Sequence, residues 1–211
     1  DNCWHLGPEN SDATTQDELD FIDMMVSRLK ATPGVNAEAF YAMGSSNGAG
    51  LCHYLAVNTT HFQGIATLVS VLDENAGPTD DTPQLKVLQL MNRKDGLIPY
   101  EGGASNVGHT FMSAEESASV WAAHNGCDVN PTVEESTENV NGIPEKRVLT
   151  YNNCDNGNNV KHIGVLPVPW SADCELQPRP LGTECGGSHT VHNSYFAPQS
   201  KWRFMWEFLS E

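Results

Sequence analysis

A serine lies between two glycines in the stretch Gly44-Ser45-Ser46-Asn47-Gly48, which follows a short apolar run and precedes a helical pattern. The pattern Gly-x-Ser-x-Gly at a strand–helix junction is typical of a nucleophile elbow. On such a turn Ser46 would project its hydroxyl, and the amide of Asn47 would stabilise a developing oxyanion. Gly44 and Gly48 would let the strand and the helix approach without a clash. A tight turn without chemistry has the same composition, so the pentapeptide alone leaves both readings open.

A serine nucleophile needs a base, and the base needs an orienting carboxylate. Asp95 follows a predicted strand in the segment NRKDGLIPYEGG, where such an acid is expected, although an Asp before a glycine also suits a turn. His189 follows a Gly-Gly-Ser segment and is the candidate base, with His192 as the alternative. These two histidines could also bind a metal, but no third ligand is near in sequence, so a metal site is disfavoured. The other histidines are expected to be structural or surface residues: His5, His53, His61, His109, His124 and His162.

Hydrophobic periodicity and chain-breaking residues predict the elements that position these side chains. Helices are predicted over residues 15–29, 47–57, 114–124 and 202–209, the first opening with a capping box from Thr15 to Glu18. Strands are predicted over residues 39–43, 65–72, 85–91, 147–152 and 160–165. Because strands alternate with helices in the first two-thirds of the chain, we expect an α/β fold with a mostly parallel sheet. Residues 166–198 are expected to form an irregular insertion that carries the base.

Composition limits the function further. The chain has 211 residues and 39% hydrophobic content, enough for one domain with a core. Its formal net charge of −16 would repel nucleic acid and anionic membranes, so neither is predicted as a partner. Six cysteines, none in a CxxC pair, suit disulfides in an oxidising compartment, and the sequon Asn58-Thr59-Thr60 adds weak support for secretion. Spacing alone does not resolve how the cysteines pair.

Four segments in this order resemble α/β-hydrolases of the polyhydroxybutyrate depolymerase and feruloyl esterase type: YAMGSSNGAG, VLQLMNRKDGLIPYEGG, WAAHNGC and GGSHTVH. The resemblance covers most of residues 15 to 190 and is strongest at the first two segments. It implies an α/β-hydrolase-like, mostly parallel sheet flanked by helices. It also implies Ser46 as nucleophile, Asp95 as acid and His189 as base.

The resemblance further implies a disulfide from Cys127, with Cys154 as the expected partner. For the remaining cysteines our hypothesis is a Cys174–Cys185 pair, which leaves Cys3–Cys52.

The sequence departs from the family in two regions. Ser188 stands where the family usually has glycine, and Val191-His192 replaces its usual Trp-Pro. The family's domain also begins with several strands and a His-Gly loop that supplies a second oxyanion amide. We expect this chain to begin after that region, near Cys3-Trp4, and so to lack the usual amino-terminal strands.

We therefore expect a secreted serine esterase, a single domain over residues 1–211, that hydrolyses polyhydroxyalkanoate, feruloyl or acetyl esters without a cofactor or metal. Trp170, in the insertion, and Tyr100 are candidate substrate-binding residues. The alternatives are a non-catalytic binding domain of the same fold and, less favoured, a metal-dependent hydrolase. The sequence does not set the oligomeric state or the acyl and alcohol specificity.

Overall fold

A computed structural model describes residues 3–6, 14–137, 139–140, 143–166, 189, 191 and 193–211. Its helices are α1 (Thr14–Lys30), α2 (Asn47–Asn58), α3 (Ala114–His124) and α4 (Lys201–Ser210). Its strands are β1 (Tyr41–Ser45), β2 (Gly64–Leu68), β3 (Lys86–Asn92), β4 (Gly103–Ala104), β5 (Thr110–Phe111), β6 (Thr132–Glu135), β7 (Asn139–Val140), β8 (Ile143–Pro144), β9 (Lys146–Tyr151) and β10 (Val160–Val165). No helix in these ranges is both long enough and apolar enough to cross a membrane.

Six of the strands form one mixed sheet in the order β1-β2-β3-β10-β9-β6. The first four are parallel to one another, whereas β9 pairs antiparallel with β10 and β6 pairs antiparallel with β9. Helix α2 connects β1 to β2, and α3 lies in the connection between β3 and β10. This mostly parallel sheet with its helices agrees with the predicted α/β class.

Helices cover both faces of the sheet because alternate strand residues point to opposite sides. One face packs against α2 and α3, and its cluster includes Cys52, Ala56, Ile65, Val87, Ala118 and Trp121. The other face packs against α4, and its cluster includes Ala66, Leu68, Leu88, Leu90, Met205 and Leu209. Helix α1 buries Ile22 and Val26 against α2 and forms an outer layer on the first face.

The second strand ends earlier than its composition predicts. The apolar run from Ile65 to Leu72 indicates a strand throughout, but β2 stops at Leu68. Val69 has a φ of 52°, a left-handed conformation that is rare for a β-branched residue. Its amide still donates to the carbonyl of Leu90 at 2.8 Å. Val69 therefore makes one more hydrogen bond to β3 before the chain turns away from the sheet.

The sequence did not predict five short strands or the true start of α1. The hairpins β4–β5 and β7–β8 have two residues per strand, too few for a period to register, and β6 is exposed throughout. Helix α1 begins at Thr14, and Glu18, predicted to close a capping box, instead accepts hydrogen bonds from His5 through Oε1.

The predicted disulfide between Cys127 and Cys154 is confirmed. The predicted Cys3–Cys52 pair is wrong, because both thiols are free. Cys52 lies in the core on α2, where burial raises the pKa of its thiol to about 12, whereas Cys3 is exposed. Cys174 and Cys185 lie outside the described residues.

A close backbone contact joins β1 to α2. A Cβ atom on Gly44 would lie 2.1 Å from the carbonyl oxygen of Gly48, so no side chain fits at position 44. A Cβ on Gly48 would meet nothing within 4 Å. Of the two glycines that flank the elbow serine, only Gly44 is therefore required by packing, and the steric expectation for Gly48 is wrong.

A buried polar chain lies on the face of the sheet that packs against α2 and α3. Gln89 Nε2 donates to His162 Nδ1 at 3.0 Å, so the proton of the neutral imidazole lies on Nε2 and is donated to the Tyr100 hydroxyl at 2.8 Å. Tyr100 in turn donates to Glu115 Oε1 at 3.1 Å. Burial lowers the pKa of His162 to about 4. The chain thus links β3, β10 and α3 through a histidine that is neutral near pH 7.

Substitution at Gly44 should destabilise the fold far more than the same change at Gly48. Gly44→Ala forces a methyl group into backbone atoms, and overpacking of this kind costs about 1–3 kcal/mol or more. Gly48→Ala adds a methyl in open space on a helix, where alanine is favoured over glycine by up to about 1 kcal/mol. Urea unfolding followed by circular dichroism measures both. Equal free energies of unfolding for Gly44→Ala and Gly48→Ala would contradict the close contact between Gly44 and the Gly48 carbonyl.

Acid should weaken the fold through His162. Its ordinary pKa of 6.5 falls to about 4 in the folded chain, so the unfolded chain binds a proton first as pH falls. The free energy of unfolding should therefore drop between about pH 6.5 and pH 4, with about 3 kcal/mol from this group. Urea unfolding at pH 7 and pH 4 measures the loss. His162→Gln should show a smaller loss, not zero, because burial also lowers the pKa of His53 to about 4. If His162→Gln and the wild type lose equal free energy of unfolding between pH 7 and pH 4, His162 is not a cause of the loss.

Candidate active site

Ser46 lies on a strained turn between β1 and α2. Its φ of 55° and ψ of −126° fall in a region that residues with side chains rarely adopt. Its amide donates to the carbonyl of Leu68 at 2.8 Å, and its own carbonyl accepts from Ala49 and Gly50 at 2.8 and 3.0 Å. The sheet on one side and the helix on the other thus hold the strained backbone. The side chain does not cap the helix, which leaves Oγ for another partner.

Asp95 lies in the loop that follows β3, as the sequence predicts. Its Oδ1 accepts hydrogen bonds from the amides of Leu97 at 2.8 Å and Ile98 at 3.0 Å. Its own amide donates to the carbonyl of Asn92, the last residue of β3, at 3.1 Å. The side chain has 0% exposure. A fixed, buried carboxylate of this kind needs a partner that neutralises or hydrogen-bonds it.

His189 provides that partner and contacts Ser46 as well. Its Nδ1 lies 2.9 Å from Asp95 Oδ1 and 2.8 Å from Oδ2, and its Nε2 lies 2.7 Å from Ser46 Oγ. Because a carboxylate only accepts, Nδ1 carries the proton and Nε2 is free to accept the serine hydroxyl. The structure therefore brings the three residues together in the order that nucleophilic catalysis by serine requires.

Asn47 is the first residue of α2, directly after Ser46. Amides in the first turn of a helix have no partner within the helix, and the helix dipole adds partial positive charge there. The Asn47 amide therefore has the position expected of an oxyanion donor. Its side chain does something that the sequence did not predict: Oδ1 accepts from the Trp4 amide at 2.7 Å, and Nδ2 donates to the Trp4 carbonyl at 3.0 Å.

A cleft of about 380 Å³ opens at Ser46 and His189. The other residues that line it are Cys3, Trp4, Leu6, Asn47, Ser70, Leu97, Ile98, Val107, His109 and Phe111. Most of this lining is apolar, and most of it comes from loops and short elements. Among these residues only Asn47 is a predicted site residue; Leu97 and Ile98 lie in the segment that carries Asp95, but no pattern assigned them to a cleft. His109, expected to be structural, lies in the cleft wall with its Nδ1 3.2 Å from Asp73 Oδ2.

Tyr100, predicted to bind substrate, is not part of this cleft. Its ring is 5% exposed and its hydroxyl belongs to the buried chain with His162 and Glu115. Burial is the main cause that raises the pKa of this hydroxyl. A Cβ on Gly164 would lie 2.6 Å from the Tyr100 hydroxyl, so the ring packs directly on the β10 backbone. The prediction for Tyr100 is wrong, because the side chain turns into the core.

Two other predicted residues, Trp170 and His192, lie outside the described part of the chain. Within the described part, no group of three or more His, Cys, Asp or Glu side chains is arranged to hold a metal ion.

A distant relative supports an esterase-like relationship. Feruloyl esterase B of Piromyces equi is 26% identical to this chain over 164 residues, which is 74% of the chain. The chain spans only 28% of the length of that relative. No protein-family model and no solved structure matches the chain. At this identity the similarity supports an esterase-like relationship and leaves the substrate open.

Proposed function

We propose that this chain is a serine esterase with Ser46 as nucleophile, His189 as general base and Asp95 as the carboxylate that orients the base. The observation that carries the proposal is the unbroken relay from Ser46 Oγ through His189 to a fully buried carboxylate, at 2.7 and 2.8 Å. The strained turn beneath Ser46 supports it, because backbone strain of this kind clusters at functional sites.

In the proposed reaction, Ser46 Oγ attacks the ester carbonyl carbon and its proton passes to His189 Nε2. The Asn47 amide stabilises the negative charge on the carbonyl oxygen. His189 then gives the proton to the leaving alcohol, and the acyl group stays on Ser46. Water, deprotonated by the same imidazole, attacks the acyl carbon; the bond to Ser46 Oγ then breaks, the imidazolium returns its proton to Oγ, and the acid leaves. Throughout, Asp95 keeps the proton on Nδ1 and stabilises the imidazolium.

We further propose an α/β-hydrolase fold and an ester substrate with an apolar acyl group. The apolar lining and the 380 Å³ volume of the cleft suit such a group. The distant relative is named a feruloyl esterase, which favours aryl esters over polyhydroxyalkanoate and acetyl esters. The Cys127–Cys154 disulfide supports secretion, because such bonds persist in oxidising compartments.

Ser46→Ala should abolish hydrolysis of p-nitrophenyl esters, with kcat falling by about 10⁶ because triad members act as a unit. Ser45→Ala is the matched control: it removes the neighbouring hydroxyl, which is exposed on β1, and should retain activity. A chelator should have no effect. A folded wild type without activity would favour the non-catalytic binding domain. Activity that survives in Ser46→Ala but is lost to a chelator would favour the metal-dependent hydrolase.

Asp95→Asn should lower kcat by about 10⁴, because an amide in place of the carboxylate no longer holds the proton on Nδ1. Asp23→Asn is the matched control, since Asp23 Oδ1 also contacts an imidazole, that of His61 at 3.0 Å, but on α1. Steady-state kinetics on a p-nitrophenyl ester measure both. Equal losses in the two variants would count against the role of Asp95.

A further inference from the structure

The side chain of Asn47 holds a segment that is distant in sequence. We name residues 3–6 the strap. Both polar atoms of the Asn47 amide bond to the backbone of one strap residue, Trp4, at 2.7 and 3.0 Å. An amide that donates to the carbonyl and accepts from the amide of the same residue fixes both the position and the orientation of that backbone.

The strap has further anchors, all of them on the helices. Glu18 Oε1 accepts from the amide of His5 at 2.9 Å and contacts its Nδ1 at 2.8 Å. The Trp4 ring stacks on Phe21 with centroids 6.4 Å apart. Leu6 joins the apolar cluster between α1 and α2, close to Gly50. Of these anchors, the bonds from Asn47 are the ones made by the residue next to the nucleophile.

The strap is also a wall of the catalytic cleft. Cys3, Trp4 and Leu6 line it together with Ser46 and His189. A substrate whose carbonyl lies at Ser46 would extend along this wall. The width of the cleft beside the reacting bond therefore depends on where the strap lies, and Asn47 is the anchor that holds Trp4 there.

We infer that the Asn47 side chain is a positioning residue that acts through Trp4 to set the fit of the acyl group, separately from any role of its backbone amide. The inference rests on the proposed esterase function. The two roles of Asn47 differ in what they affect. An oxyanion donor acts on the carbonyl, which every ester shares, whereas a wall affects only those substrates that are long enough to contact it.

The test compares p-nitrophenyl acetate with p-nitrophenyl octanoate, which differ only in acyl length. In Asn47→Ala, the ratio of kcat/KM for octanoate to that for acetate should fall about tenfold, mainly through a higher KM for octanoate, because an apolar contact surface is lost. Asn36→Ala is the matched control, since the Asn36 side chain also binds a backbone amide, that of Glu38 at 3.1 Å, in a surface loop. It should keep the wild-type ratio. A ratio in Asn47→Ala that is unchanged or higher would overturn the inference.

Amide hydrogen exchange tests the same contact without catalysis. By heteronuclear NMR, the Trp4 amide should exchange at least about tenfold faster in Asn47→Ala than in wild type, because its acceptor is gone. It should stay protected in Asn36→Ala and Ser46→Ala. Unchanged protection in Asn47→Ala would overturn the inference. If the wild type lacks Ser46-dependent activity, the esterase proposal fails, while the exchange rates still decide whether Asn47 holds the strap.

Discussion

Parallel pairing of β1, β2, β3 and β10 is the constraint on which the candidate site depends. The register pairs Ser45 with Leu68 and Asn92 with Val165, so the carboxyl ends of these strands lie at one edge of the sheet. Ladder bonds continue past the strands, from the Ser46 amide to the Leu68 carbonyl at 2.8 Å and from the Arg93 amide to the Val165 carbonyl at 2.7 Å. A slip of one residue in β1 would reverse every side chain of that strand and move the elbow away from the loop that carries Asp95. The placement of Ser46 relative to the loop of Asp95 is therefore a consequence of sheet register.

Two strained residues lie at this same edge of the sheet. Ser46 and Val69 end neighbouring strands, and both have positive φ values, of 55° and 52°. Conformations of this kind cost about 1–3 kcal/mol each, and they persist only where the surroundings impose them. Ladder bonds hold both residues, and the contact of Gly44 with the Gly48 carbonyl holds the turn into α2. At these two turns, Ser46 Oγ lies 2.7 Å from His189 Nε2 and Ser70 lines the cleft.

Local patterns in the sequence predict what is local in the fold. The five-residue elbow, the helix at 114–124 and the strand at 160–165 follow from short-range periodicity and turn residues, and the structure has all three. The early end of β2 does not follow, because the conformation of Val69 is imposed by its neighbours rather than by its own preference. The bond between Asn47 and Trp4 joins residues 43 apart, and no pattern within either segment encodes it. Tyr100 fails for the same reason, since its partners His162 and Glu115 are defined only by the folded core.

Asn47 makes two separate contributions to the proposed site. Its backbone amide belongs to the first turn of α2, so its direction is fixed by the helix and not by the identity of the side chain. Its side chain belongs to the contact with Trp4, so its direction is fixed by the strap. A residue without a side-chain amide could still supply the proposed oxyanion donor, but it could not hold the strap beside Ser46. The asparagine is therefore explained by the shape of the cleft rather than by the chemistry at the carbonyl. The proposed substrate preference then depends on how the strap packs against α1 and α2.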